Sequence, residues 1–295
     1  MSRFTSPPFL RQAGDKHLRA KPPPVVDLAQ PSIARLRSFH LKGKDHFEGD
    51  RELATRADQA APGFQEIVLG ERAFLQRAVR QLAEEAGITQ FLQFGAGLPA
   101  PGDPHEIARE SAPEARVVYA TDDPMVLTHH RALLCDGRTT TAVHGGLTEP
   151  GRVLSDPETR RFLDLDRPVG LLLTGVVPHV SDDENPAEHI ATLREALAPG
   201  SHLVLSHYCR PDRSRYAKDA LRADRLEDVF VESLGSGWWR GHGQVEALFG
   251  GWEILSPGVL EIQRWHTLPV APPVPGCYQM PRRNRRLIIG GMGRI

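Results

Sequence analysis

The apolar residues Ile67, Val68, Phe74, Leu75, Val79 and Leu82 recur at helical spacing, which predicts one long amphipathic helix over 64–85 with a face to lay on a sheet. Gly70 weakens its first turn. Downstream, short apolar runs at 91–94, 117–120, 140–143, 169–177 and 202–208 alternate with helix-length segments, the signature of a parallel sheet wound by helices on both faces. Helix starts are marked by Asp123-Pro124 and by Asn185-Pro186, the latter ahead of Ile190, Leu193 and Leu197, and Ala198-Pro199-Gly200 ends that helix. A last helix is predicted over 244–249 and closing strands over 252–262 and 287–294. Residues 1–30, with Pro7-Pro8 and Pro22-Pro23-Pro24 and no periodicity, read as an extended arm.

Composition narrows the partners. The 295 residues suffice for a large core without staples, and 36 basic against 37 acidic residues leave a net charge of -1, so nothing favours nucleic acid. Cys135, Cys209 and Cys277 have no Cys-x-x-Cys spacing, which argues against a disulfide framework or a thiolate zinc site. With no apolar run of membrane-spanning length and no secretory pattern at the N-terminus, the expectation is a cytoplasmic protein without a membrane partner.

In open α/β sheets ligands bind beyond the carboxyl ends of the strands, which directs attention to Gly95, to 121–123, to His144, to 174–179 and to 206–208. The run Phe94-Gly95-Ala96-Gly97-Leu98-Pro99 has the build of a ligand-approaching turn. Pro31-Ser32-Ile33-Ala34-Arg35, Gly43-Lys44-Asp45, Arg72-Ala73-Phe74-Leu75, that glycine turn, Asp123-Pro124, Leu171-Leu172-Leu173, Gly200 to His207 and Pro257-Gly258-Val259 follow one another in order. Together they resemble an actinobacterial family of S-adenosylmethionine-dependent methyltransferases, mostly of unknown substrate, over about residues 30–268. The resemblance implies an α/β class I methyltransferase (Rossmann-like) fold: a mostly parallel seven-stranded sheet with helices on both faces. The chain then divides into a helical cover over 31–88, a core over 89–268 with a lid insertion at about 209–243, and a tail over 269–295 carrying a closing strand.

The resemblance assigns Gln93, Gly95, Gly97, Thr121, Asp122 and Gly146 to the cofactor site. Three of them depart from the family pattern, which has acids where this chain has Gln93, Thr121 and Gly146, and its Leu-His-His after strand four becomes Val177-Pro178-His179. Each lost carboxylate removes charge-assisted hydrogen bonds of roughly 1.5–3 kcal/mol. Asp122 stands one residue from the ribose position and glutamine can still donate and accept, so substitutes exist. The reading these departures favour is a crevice with no cofactor, turned to S-adenosylmethionine-independent chemistry such as cyclisation or leaving-group elimination on an anionic small molecule of specialised metabolism. The alternatives are an active S-adenosylmethionine-dependent methyltransferase and a non-catalytic partner subunit.

For the anion, Arg35, Lys42, Lys44 and Arg72 form a candidate clamp, against a solvated charged face with Asp45 and Glu71 as neighbours. His179 and His207 are the candidate proton-transfer groups. Asp182, Asp183 and Glu184 beside His179 read as a helix cap, and no spacing compels a metal. Trp238 and Trp239, in the lid segment, are candidates for a flat substrate or a second subunit, with a hydrophobic anchor as the plainer role. The arm and the lid together predict a homo- or hetero-oligomer.

Overall fold

The computed structural model describes residues 27–265 and 284–295; most of the N-terminal arm and Cys277 fall outside them. Helices α1 (Ile33–His40), α2 (Glu48–Ala60) and α3 (Phe64–Glu84) precede the sheet. The period read from the sequence is the one α3 uses: Ile67, Val68, Phe74, Leu75, Val79 and Leu82 are all buried.

The sheet places β3 (Thr140–His144), β2 (Arg116–Thr121), β1 (Gln90–Phe94), β4 (Gly170–Thr174), β5 (His202–Tyr208), β8 (Ile288–Arg294) and β6 (Glu253–Ile254) side by side, with β7 (Leu260–Glu261) also on β8. The first five run parallel, and β8 is antiparallel to β5 from His202↔Arg294 to Tyr208↔Ile288. There are thus eight strands rather than seven, because Pro257 and Gly258 interrupt the outer edge and leave β6 and β7 with two residues each. Side chains alternate into two cores: Phe91 packs with Phe74 and Leu172 on the α3 side, while Leu92 and Phe94 join Leu171 and Leu173 on the other. Strand order reverses between β1 and β4, and the crevice opens there.

Proline-led α5 (Pro124–Leu133) and α8 (Pro186–Glu195) begin where expected. Asp123 caps α5 by accepting from the Met125 and Val126 amides at 2.8 and 3.2 Å. Asn185 does not cap α8 in this way; it adopts a left-handed conformation (φ 50°) and its side chain donates to Glu188 at 2.9 Å. The segment 209–243, poorly patterned as a sequence, contains the 18-residue α9 (Ala217–Leu234), which packs against α2 through a face of Ala220, Ala223, Leu226 and Phe230. Its apolar stripe uses alanine, which is why the period was faint.

A buried carboxylate joins the two cover helices. Asp50 on α2 pairs with Arg35 Nε at 2.8 Å and accepts from the Ser32 amide at 3.0 Å and the Phe47 amide at 2.8 Å, fixing the starts of α1 and α2 at once. Removing one partner of a buried pair strands the other charge, so Asp50→Ala is expected to cost about 3 kcal/mol or more in urea unfolding. The double variant Arg35→Met/Asp50→Leu should cost less than the sum of its single changes.

Candidate functional site

The turn after β1 contains two glycines of different character. Gly95 has φ +64° and an added Cβ would stand 2.5 Å from the Val176 Cβ, so conformation and packing both require glycine. Gly97 has neither constraint: a Cβ there would meet nothing within 4 Å. Around this turn the protein is tied down. His130 Nε2 donates to the Gly97 carbonyl at 2.8 Å, Arg72 reaches Ala100 O at 2.9 Å and Asp103 at 3.2 Å, and Asp103 accepts from the Ala100 amide at 3.0 Å. Burial raises the Asp103 pKa despite Arg72, and burial lowers that of His130 to about 4.

At the end of β2, Thr121 is buried and its Oγ1 accepts from the Asp123 amide at 3.2 Å. Asp123, besides capping α5, accepts from the Ser32 hydroxyl at 3.0 Å and so tethers the start of α1 across the crevice. Asp122 is exposed and its carboxylate has no hydrogen-bond or ion-pair partner among the described residues. It lies over Gly146, whose Cβ, if present, would come within 2.9 Å of Asp122 Oδ2.

Beyond β4 and β5 a closed ring of polar groups forms around Gly175 (φ +60°). The Gly175 amide donates to Ser206 Oγ at 2.9 Å, Ser206 donates to Glu71 at 2.6 Å, Arg37 Nη2 pairs with Glu71 at 3.1 Å and donates to the Gly175 carbonyl at 3.0 Å. Burial, with Glu71 nearby, pushes the Tyr208 phenol above its usual pKa. The His179 ring stacks on Phe230 with centroids 6.1 Å apart, and its Nδ1 meets Ser236 Oγ at 2.9 Å. Burial lowers the His179 pKa to about 3, with Arg37 adding to the effect.

The predicted cationic clamp is not assembled. Arg35 is spent on Asp50, and Lys42 and Lys44 are exposed in the turn between α1 and α2. Arg72 lines the crevice but is engaged with Asp103; the cations there, Arg37 and Arg72, each face a carboxylate. His207 is fully buried and both ring nitrogens are used: Nδ1–H donates to Tyr208 O at 2.6 Å and Nε2 accepts from Arg240 Nη1 at 2.9 Å. Arg240 also grips Val180 O at 2.9 Å and Asp182 at 2.6 Å, which fixes the turn bearing His179. Trp239 is buried against Tyr208 at 4.3 Å and Phe230 at 5.3 Å, the anchoring role, while half-buried Trp238 donates its amide to Pro178 O at 2.8 Å. Of the cofactor candidates, Gln93 and Gly97 line the crevice itself. The residues that sequence reasoning missed are Arg37 and Glu71, which meet only in the folded chain.

The strand order, the glycine turn ending β1 and the crevice at the order reversal define a class I methyltransferase fold. Residues 19–295 match the model of the S-adenosyl methyltransferase family, and the chain belongs to that family. It is similar to a presumed methyltransferase from Thermobifida fusca YX, with 37% identity, a TM-score of 0.81 and coverage of 93% of this chain and 98% of that one. It is also similar to a DUF574 family protein from Streptomyces avermitilis MA-4680, with 31% identity, a TM-score of 0.81 and coverage of 91% and 98%. No curated protein matches the chain. Among the described residues no helix is long and apolar enough to cross a membrane.

Two outcomes follow from this geometry. A Cβ on Gly175 would fall 1.9 Å from Arg37 Nη2 and 2.7 Å from Glu71, at a positive φ, so Gly175→Ala should displace the pair and cost more than about 2 kcal/mol in urea unfolding. The buried histidines set a pH dependence. His179 and His207 have pKa values of about 3 folded against an ordinary 6.5, so between these values the unfolded chain binds more protons. Their contribution is fully present above pH 6.5 and is lost as pH falls toward 3, at up to about 1.4 kcal/mol per pH unit for each. Urea titrations at pH 7 and pH 5 should show the lower stability at pH 5.

Proposed function

We propose that the protein methylates a small molecule and binds S-adenosylmethionine across this crevice, with the nucleoside toward β2 and β3 and the reacting end toward the Gly175 ring. The observation that carries the reading is the free Asp122 carboxylate resting on Gly146. An acid at 146 would set a second carboxylate beside Asp122 and repel it; with glycine there, a carboxylate still stands between the ends of β2 and β3. Two of the apparent losses are therefore one exchange, and the case for a crevice without a cofactor, which rested on three missing acids, loses much of its force. Gly97 supports the same reading, since nothing in the protein requires glycine there and its backbone lines open space where a ligand approaches.

S-adenosylmethionine, when bound, supplies a methyl group activated by its sulfonium. The chain's own residues do the rest: Asp122 receives hydroxyl or amine hydrogens, the 95–103 turn offers backbone, and the ring around Gly175 orients the acceptor. In the closed form the crevice holds about 60 Å³, far below the roughly 300–1,000 Å³ of ligand pockets, so α1 lifts to admit the ligand. The ties across the crevice include the Ser32–Asp123, Arg37–Glu71 and Arg37–Gly175 contacts, and closing them again shields the site from water.

Calorimetric titration with S-adenosylhomocysteine tests the reading. Wild type should bind; Asp122→Asn should weaken binding about tenfold or more, as loss of a charge-assisted hydrogen bond implies. Gly146→Asp should weaken it too rather than restore a missing acid, and Gly97→Val should abolish binding while leaving the melting temperature unchanged. Absence of binding to wild type, or gain in Gly146→Asp, would overturn the assignment.

A further inference from the structure

The cover meets α5 on both sides of α1. Before α1, the Ser32 hydroxyl donates to Asp123 at 3.0 Å, and within its first turn Ala34 packs with Val126 of α5 and Leu98 of the glycine turn. After α1, Asp45 in the turn that leads to α2 lies 3.8 Å from His129 Nε2. The next residue on α5, His130, lines the crevice and holds the Gly97 carbonyl at 2.8 Å. One helix therefore carries both a seat of the cover and a support of the glycine turn.

The hydrogen bonds of His129 decide what that last contact can do. Its Nδ1–H donates to the Met125 carbonyl at 2.8 Å, one helical turn back, so in the neutral ring Nε2 is a bare acceptor. Asp45 is an acceptor too, and the two have no hydrogen to share. A proton taken from water onto Nε2 turns the same juxtaposition into an ion pair, and histidine is the side chain that ordinarily changes charge near neutrality. The other groups around His129 do not take Asp45's place. His130 is kept neutral by burial, which lowers its pKa to about 4, and Asp123 is occupied by Ser32 and by the Met125 and Val126 amides. On the strands that α5 packs against, the Tyr119 hydroxyl is bonded to His105, and Arg116 and His144 form no ion pair with His129. Lys42 and Lys44, exposed in the same turn as Asp45, are the cations that oppose the pair. We propose that His129 is a pH-responsive latch on the cover: protonated, it holds the α1–α2 turn on α5 over the closed crevice, and neutral, it releases the turn. The proton belongs to the closed form, so falling pH favours closure. Both side chains are partly exposed, which limits the pair to the strength of surface ion pairs and its effect on opening to about two- to fivefold. The inference rests on the opening of α1 proposed above and supplies its control.

Trypsin tests the latch on the full chain, because Lys42 and Lys44 stand in the turn and cleavage after them needs the turn released. The cleavage rate, followed by mass spectrometry at about pH 6 and about pH 8, is taken as the ratio of wild type to His129→Gln, so that the protease's own pH dependence cancels. Wild type should be cleaved about two- to fivefold more slowly than His129→Gln at the lower pH and equally fast at the higher. His129→Lys, charged at both, should be cleaved slowly at both. In an Asp45→Asn background the change His129→Gln should have no effect at either pH, an outcome that a merely structural role for His129 does not give. Asp45→Asn replaces His129→Gln as the reference if the latter lacks wild-type near-ultraviolet dichroism. A ratio that is the same at both pH values, or His129→Lys cleaved as fast as His129→Gln at the higher one, overturns the proposal. Release of S-adenosylhomocysteine should slow by the same factor at the lower pH in wild type and not in His129→Gln. A turn that responds to pH in a protein that ignores S-adenosylhomocysteine would sink the cofactor reading and leave the latch standing; binding with a pH-independent ratio would sink the latch alone.

Discussion

The ring around Gly175 is the constraint on which the rest of the site depends. It joins the ends of β4 and β5 to α3 through Glu71 and to α1 through Arg37, and it closes only because residue 175 has no side chain. A buried arginine–glutamate pair contributes little net stability, because desolvation offsets the attraction, but it fixes geometry: either partner alone would leave a charge stranded. The pair is therefore better understood as what sets α1 over the crevice than as what holds the protein together. Stability comes instead from the two cores on either side of the sheet.

That division of labour bears on the opening proposed above. The α1 helix is eight residues long; it buries Ala34 and Leu36, and Ile33 and Phe39 are partly buried against the core. Its orientation is set by polar contacts at separate points: Asp50 below its start, Asp123 across the crevice and Glu71 at its far end. The first joins α1 to α2 and so fixes α1 to its neighbour in the chain independently of its contacts across the crevice. In the opening proposed above, the buried Arg35–Asp50 pair is the fixed point and the Arg37–Glu71 pair, itself largely buried, is the contact that has to break.

Much of the scaffold was legible in the sequence because it depends on local signals. The β5 span and the apolar face of α3 follow from periodicity, and the α5 start follows from Asp123-Pro124, each determined by neighbours within a few positions. α9 escaped because alanine carries two of its four buried contacts, and the outer edge was read as a continuous strand because Pro257-Gly258 was not weighed as a break. The site was legible only as a place. Strand ends located it, yet the charged residues singled out by type went elsewhere: Arg35 into the α1–α2 junction, Lys42 and Lys44 to the surface, His207 into a saturated contact with Arg240. Arg37 meets its carbonyl partner 138 residues away, and no local pattern announces such a pairing.

The same limit applies to the cofactor positions. A motif scores each position alone, so Thr121 and Gly146 count as two losses, whereas the fold brings residues 122 and 146 into contact and makes them one choice between two ways of placing a carboxylate. Electrostatics favours a single acid in that space, since two carboxylates so close would not both stay ionised. Counting basic residues suggested an anion site, but each crevice-lining arginine faces an acid, and the net field in the crevice is small. With Arg37 and Arg72 each already paired with an acid, charge attraction by itself would do little to select a ligand there, because a paired charge has little left to offer an incoming one.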